Sequence, residues 1–387
     1  MIITINSGSS SIKIQIFEGE SSIASFHFKN YSEGNYKLEA ELNNQSVDQE
    51  ITENDYSNSV QFFFNLIAEQ MQITPDKIEK IIHRIVHGGE RFDKPTQLTT
   101  ETISEIETFN DYAPLHNPKA LEIVKKIALL YPNIKQFGVF DTSFHLTMPK
   151  ENFLYGLPYG YYENIKVRKF GFHGISYQFI KNRLAENNYS RVIVCHLGSG
   201  SSICAIKDGA SIATSFGFSP EENLIMATRS GEIDYSAVMF IKKKLGLNDD
   251  DISRLLNNES GLLGISGYTN NMKQLLQDYA TNERAKLAID MYINKIVEFI
   301  ANFFVMLGGV DAIVFTGGVG SGSDIIRKMI LAKLVPLGIR YDESKNAGQI
   351  DVPDFLDISL EGTKVLVIKT NEELQMIRSC AVLAMGS

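Results

Sequence analysis

The chain has 387 residues, 44% of them apolar and 21% charged. That suits a soluble globular fold of two or three domains with a substantial core. Its 37 basic and 46 acidic side chains leave a net charge of −9, which repels a phosphate backbone and argues against nucleic-acid binding. The three cysteines, Cys195, Cys204 and Cys380, are odd in number and too few for a disulfide framework, so a reducing, cytoplasmic compartment is expected.

The chain opens on a strand-like run, MIITI, with no basic region and apolar core ahead of it, so no signal peptide is expected. NSGSSSIKIQIFEGESSI, starting at Asn6, then reads as a Gly/Ser turn, a second strand, a Glu-Gly turn and a third strand. Apolar spacing by three and four predicts helices in SVQFFFNLIAEQM and PKALEIVKKIALLY. QFGVFD reads as a buried strand, with the first domain boundary just after it, near Asp141. HLGSGSSICAIKDGASI, starting at His196, repeats the opening pattern. Ser10-Ser11-Ile12 recurs there as Ser201-Ser202-Ile203, which predicts two related domains, each beginning with a β-meander. Cys195 and Cys204 fall in these apolar strands, as buried structural thiols. Helical spacing returns in YSAVMFIKKKLG, RAKLAIDMYINKIVEFIANFFVML and SDIIRKMILAKLV, alternating with the strands DAIVFTGG and TKVLVIKT. The alternation argues for α/β layers. The most apolar stretch, Ile296 to Phe315, is interrupted by Glu298, Asn302 and Asp311 and broken by Gly308 and Gly309. It reads as helix, turn and strand, not as a membrane span. A last helical pattern, NEELQMIRSCAVLAM, closes the chain.

Several segments carry chemistry. The turn NSGSSSIK gathers backbone N–H groups and hydroxyls, and Gly8 permits close approach of an anion. Lys13 adds charge, and Asn6 offers an amide oxygen near a metal-bound phosphate. An ordinary hairpin turn is the plainer reading of the same residues. HLGSGSS, His196 to Ser202, makes a second such turn, and paired phosphate turns suit phosphoryl transfer. Arg84 in HRIVHGGERF and Arg229 in MATRSGEID lie where regular structure gives way to glycine-rich turns. In-line transfer needs fixed positive charge at the equatorial oxygens, and guanidinium grips carboxylate and phosphate with paired bonds. His87, His116 and His173 stand beside glycine or proline, where a ring can donate to developing negative charge. No histidine or cysteine spacing of a zinc site occurs. Asp141 ends a strand, where α/β sheets bind ligands, although an Asx turn explains it equally well. FTGGVGSGSDIIR, from Phe315, reads as strand, glycine-rich turn and helix, suited to a nucleotide but lacking a Walker A ending. Glu372 and Glu373 can hold Mg2+ through water or favour the start of the last helix.

In order, NSGSSSIK, HRIVHGGERF, APLHNP, FDTSFHLTMP, KFGFHGIS, HLGSGSS, GFSPEENLIMATRSGEID, GLLGISG, FTGGVG and VIKTNEELQMIR resemble the landmarks of the acetate kinase (acetokinase) family, over nearly the whole chain. That family shares a superfamily with sugar kinases, Hsp70-type chaperones and actin. The resemblance implies an α/β fold of two duplicated ribonuclease-H-like, actin-like ATPase domains with an active-site cleft between them. The first would span 1–143 plus a returning last helix at 373–387. The second, nucleotide-binding domain would span 144–372. Implied too is reversible, direct in-line transfer between ATP and acetate, giving acetyl phosphate and ADP, with Mg2+ or alternatively Mn2+. The implied partners are small molecules and a second copy of the chain in a homodimer, with no nucleic acid and no membrane.

The resemblance also implies roles. Asn6 and Glu372 would lie near the metal. Ser9, Ser11, Lys13, His196, Gly198, Ser199 and Gly200 would serve the phosphates. Asn271, Met272, Lys273, Gly317, Gly318 and Gly320 would surround the nucleotide. Arg84 and Arg229 would clamp the carboxylate and the phosphoryl group in flight, with His173 stabilising its charge and His116 in support. Asp141 would orient the acetate and arginine side. Val86, Leu115, Phe172 and Pro220 would form an apolar pocket for the methyl group.

This sequence departs from the family pattern at four places. Ser199 replaces an asparagine, Ser321 and Gly322 replace Glu and Asn, and Asn271-Met272-Lys273 stands where an Asp-Phe-Arg-like triplet is usual. Tyr177 replaces the last histidine of the GFHG motif. The first three lie on the donor side, so the choice of donor stays open. The alternatives are a propionate kinase, a pyrophosphate-dependent acetate kinase, an ATPase switch or scaffold of the same superfamily, and a non-catalytic nucleotide-binding protein.

Overall fold

The computed structural model describes residues 1–8, 11–32, 34–42, 45–220, 224–350 and 352–384. They divide into two compact units, Met1–Ser143 with Asn371–Ser387, and Phe144–Thr370. The return to the first unit begins at Asn371 and not at 373, because Glu372 already opens the last helix, Glu372–Ala384, which packs on that unit.

In the first unit, β1 (Ile2–Ser7), β2 (Ser11–Glu18) and β3 (Ser21–Ser32) form the expected antiparallel meander. Gly19 turns between β2 and β3 at a φ of 59°, which an L side chain resists. β4 (Asn35–Leu42) and β5 (Gln45–Ile51) extend the sheet, two strands not expected from the sequence. Their signal was present in β4, where Tyr36, Leu38, Ala40 and Leu42 are buried in strict alternation. β6 (Lys80–Ile85) pairs in parallel with β1. β7 (Thr96–Gln97) lies antiparallel to β8 (Lys135–Phe140), which is parallel to β6. Helices α1 (Ser59–Met71) and α2 (Asn117–Leu130) add Val60, Phe63, Ile67, Ile123 and Ile127 to the core.

The second unit repeats that plan. β9 (Arg191–Leu197), β10 (Ser201–Lys207) and β11 (Ala210–Thr214) make its meander, closed by Asp208 and Gly209 at φ of 50° and 77°, a two-residue primed turn. β12 (Ala312–Thr316), β13 (Phe355–Asp357) and β14 (Lys364–Ile368) complete the sheet, in the order β11-β10-β9-β12-β14-β13. The first sheet contains β3-β2-β1-β6-β8 in the same relative order, with the same antiparallel-then-parallel pairing. The duplicated Ser-Ser-Ile motif therefore marks a duplicated sheet. Val192 to Cys195 of β9 are all buried, as suits a central strand covered on both faces. Burial pushes the Cys204 and Cys380 thiols up to about 12 and raises Cys195 as well, which leaves all three unreactive near neutrality.

The helices of this unit include α3 (Gly174–Arg183), α4 (Tyr235–Leu245) and α5 (Glu283–Leu307). Helix α5 buries Ala285, Ala288, Ile289, Tyr292, Ile293, Ile296, Ile300, Phe303 and Leu307, one stripe of three- and four-residue steps. Asn282 caps its start, and Gly308 ends it at a φ of 69°. Ile296 to Phe315 is thus helix, turn and strand, and no described helix is long and apolar enough to cross a membrane. One expectation fails here. The glycine-rich segment after β12 is a short helix, α6 (Gly317–Gly322), and not a turn. Of its residues only Gly317 has positive φ. The buried Arg327 of α7 (Asp324–Leu334) donates to the carbonyls of Gly320 and Ser321 at 2.9 and 2.8 Å, closing the helical end that a run of glycines leaves weak.

Candidate active site

Three neighbouring strand ends build the polar cluster of the first unit. Parallel pairing sets Ile5 beside His83 and Ile85 beside Phe140. The ends of β1, β6 and β8 therefore bring Asn6, Arg84 and Asp141 together. Arg84 donates to Asp141 Oδ2 from Nε at 3.0 Å and Nη2 at 2.6 Å, and to Asn6 Oδ1 from Nη1 at 2.9 Å. Asn6 Nδ2 donates to Glu372 Oε2 at 3.2 Å, and Lys13 pairs with Glu373 at 3.0 Å. The last helix thus supplies two carboxylates to a cluster begun at the other end of the chain.

Charge in this cluster is balanced internally. Burial works to lower the Arg84 value, but Asp141 and then Glu372 more than offset it, so the guanidinium stays charged. Burial raises the Glu372 carboxyl above its usual range, with Arg84 pulling the other way. Lys13, expected near the donor phosphates, is paired with a carboxylate. Its partner Glu373, from the last helix, is nearly buried. Gly8 N donates to the Ser11 carbonyl at 2.8 Å, which closes the turn. Ser9 lies outside the described residues.

The loop after β6 is held by residues that the sequence did not single out. Asn117, wholly buried, accepts from His87 N at 3.0 Å and donates to the His87 carbonyl at 2.9 Å. Thr142 Oγ1 accepts from Gly88 N at 3.1 Å. A Cβ on Gly88 would meet the Phe140 ring at 2.6 Å, so the loop requires glycine there. Val86 is buried beside this loop, while Leu115 is over a third exposed and His116 stands at the start of α2. Asn117 lay within a motif already noted, but nothing local shows that it reaches a loop 30 residues away.

In the second unit, His173 opens α3 at a φ of 57°, in the left-handed region. Its Nδ1 lies 2.9 Å from Ser202 Oγ, and its ring packs on His196 with centroids 4.3 Å apart. His196 Nδ1 bonds Ser176 Oγ at 2.8 Å. The carbonyl of Phe172 accepts from buried His145 Nε2 at 3.0 Å, and the Phe172 ring sits edge-on to Phe216 at 5.1 Å. Arg229 Nη1 donates to the carbonyl of Pro220, itself buried, at 3.1 Å. The Arg229 loop is clamped by the GLLGISG segment. Leu262 N and Leu263 N donate to the Met226 and Ala227 carbonyls, and a Cβ on Gly261 would meet the Met226 carbonyl at 2.3 Å.

A cavity of about 870 Å³ opens in the same unit, lined by Gly198, Ser199, Met272, Lys273, Gly318 and Gly322 among others. Its size suits a nucleotide. Asn271 also lines it, but its Oδ1 accepts from Lys273 N at 2.9 Å and Gln274 N at 3.3 Å, so that oxygen caps the next helix. Gly317 and Gly320 pack behind the lining. A Cβ on Gly317 would meet the Leu197 carbonyl at 2.6 Å, and one on Gly320 the Cys195 carbonyl at 3.4 Å. Gly200 lies against the His173 ring.

Known proteins resemble this chain over its length. The acetokinase family profile matches residues 1–378. The acetate kinase of Phytoplasma australiense is 39% identical over 99% of this chain and 98% of that one. The solved acetate kinase of Porphyromonas gingivalis superposes with a TM-score of 0.88 at 34% identity, over 99% of both chains. A propionate kinase from Francisella tularensis superposes at 0.91 and 34%, over 98% of both. Two sheets of one strand order, each opened by a meander and a Gly/Ser turn, are the halves of an actin-like ATPase fold. The chain belongs to the acetokinase family. It is accordingly a phosphotransferase with a carboxyl group as acceptor.

Proposed function

We propose that this chain transfers a phosphoryl group reversibly between ATP and acetate, directly and in line, in the cytoplasm. The observation that carries the reading is the Arg84 cluster. A guanidinium fixed by Asp141 and Asn6 stands at the ends of three parallel strands, where such sheets bind ligands. Carboxylate and phosphate repel, and preorganised positive charge offsets that repulsion without reorganising during reaction. Arg229, tethered to Pro220, would add a second guanidinium, and His173 a ring N–H donor. Val86, Leu115, Phe172 and Pro220 would shelter the methyl group, and the cavity lined by Ser199 and Lys273 would take the nucleotide.

A hard divalent cation fits the residues present. Glu372 and Asn6 offer only oxygen ligands, the kind Mg2+ prefers, and a cation beside Glu372 relieves a carboxylate that burial disfavours. Asn6 Oδ1 already accepts from Arg84, so Glu372 would be the direct ligand and Asn6 would support it. When bound, Mg2+ neutralises charge on the donor phosphates.

Acyl phosphate trapped as hydroxamate tests the reaction. ATP with acetate is expected to give the highest kcat/KM among pairings of ATP, GTP or pyrophosphate with acetate or propionate. Propionate is the closest rival, given the propionate kinase neighbour and the small worth of one methylene, about 1–3 kcal/mol. Faster turnover with pyrophosphate or propionate would replace this reading with the corresponding one.

A homodimer is proposed on the character of α4. Among the described residues that helix buries no side chain, while Ile233, Tyr235, Met239, Phe240 and Leu245 are exposed on and beside it. Sedimentation velocity should find the parent at twice the chain mass and Phe240→Glu at the chain mass. A dimeric Phe240→Glu protein would remove α4 from the interface.

A further inference from the structure

We propose that Tyr177 is a positioning residue whose hydroxyl, acting through Ser202, holds His173 as the neutral tautomer with its proton on Nε2. Its consequence for turnover rests on the reaction proposed above; the tautomer itself does not.

Tyr177 Oη lies 2.5 Å from Ser202 Oγ, and Ser202 Oγ lies 2.9 Å from His173 Nδ1. Tyr177 and Ser202 are both wholly buried. Each hydroxyl has one proton to give. A phenol, with an ordinary pKa near 10, is far more acidic than a serine alcohol and is the better donor of the two. Tyr177 therefore donates to Ser202, and Ser202 directs its own proton to Nδ1. That nitrogen must then be the acceptor, which puts the ring proton on Nε2.

Two further observations give this tautomer a purpose. His173 stands at the N-terminal end of the ten-residue helix α3, whose positive pole disfavours an imidazolium, so the neutral ring is the relevant form. Nε2 also faces the second Gly/Ser turn: a Cβ on Gly200 would lie 3.4 Å from it, and glycine leaves that approach open. An Nε2–H there donates to charge growing on a phosphoryl group. The opposite tautomer would turn a lone pair toward the same anion.

The test is a double-mutant cycle joined to imidazole 15N NMR. Tyr177→Phe removes one hydroxyl and keeps the ring. We expect kcat to fall about fivefold to tenfold with KM for both substrates unchanged, the worth of one hydrogen bond felt in the transition state. Ser202→Ala should lose a similar factor, and the double variant no more than Ser202→Ala alone, because the phenol acts through the serine. In protein labelled with 15N-histidine, His173, assigned by its loss in His173→Asn, should be a single Nε2–H form in the parent. It should become a mixture in Tyr177→Phe. This spectroscopic arm needs no turnover, so it separates failure of the relay from failure of the proposed reaction. Multiplicative losses in the double variant, an Nδ1–H form in the parent, or unchanged kcat and tautomer in Tyr177→Phe would each overturn the proposal.

Discussion

Replacing Arg84 by alanine is expected to lower turnover by at least about 100-fold, the scale for losing one preorganised charge stabiliser. Two consequences must be kept apart. The guanidinium meets Asp141 with two N–H groups, and the Asp141 side chain is only 1% exposed. Alanine would strand that carboxylate, and breaking a buried pair costs about 3–5 kcal/mol of stability. Turnover must therefore be measured on the folded fraction. Arg84→Lys keeps a charge beside Asp141 but lacks the planar fork, so it should fold better and still turn over at least about tenfold more slowly. Arg229→Ala should match the turnover loss. Trapped acyl phosphate is the readout, and near-normal turnover in either alanine variant would refute the clamp.

Acid should weaken the fold steeply between pH 6.5 and 4. His83 and His145 are buried, and burial pushes both rings down to about 4, against an ordinary 6.5. His83 Nε2 bonds Gln136 Oε1 at 2.8 Å, and His145 bonds Ser211 Oγ at 2.8 Å and the Phe172 carbonyl. The Gln136 and Phe172 bonds pull the values up only in part. The folded rings take up protons at lower pH than the unfolded ones. Their contribution is therefore present above 6.5 and lost as pH falls toward 4. The difference is worth about 3 kcal/mol per ring. Urea unfolding at pH 7.5 and 4.5 should show this drop. A variant carrying His83→Gln and His145→Gln should start less stable yet lose markedly less between the two pH values. Equal losses in parent and variant would assign the acid sensitivity to other groups.

Local sequence determined the elements and the kinds of residue available for chemistry. Three- and four-residue steps write α5, an Asp-Gly pair writes the turn at 208–209, and the repeated Ser-Ser-Ile writes the duplicated meander. These signals act over a few residues, within reach of one turn of helix or one pleat of strand. Only the tertiary structure decided which side chains meet. Arg84 reaches Asp141 across 57 residues, and Asn6 reaches Glu372 across 366, because strand order and the return of the last helix bring those ends together. The same long-range packing gave Lys13 a carboxylate partner. Side-chain periodicity states which face a residue occupies. It is silent on which segment lies across from that face, since the pairing energy belongs to two distant stretches at once.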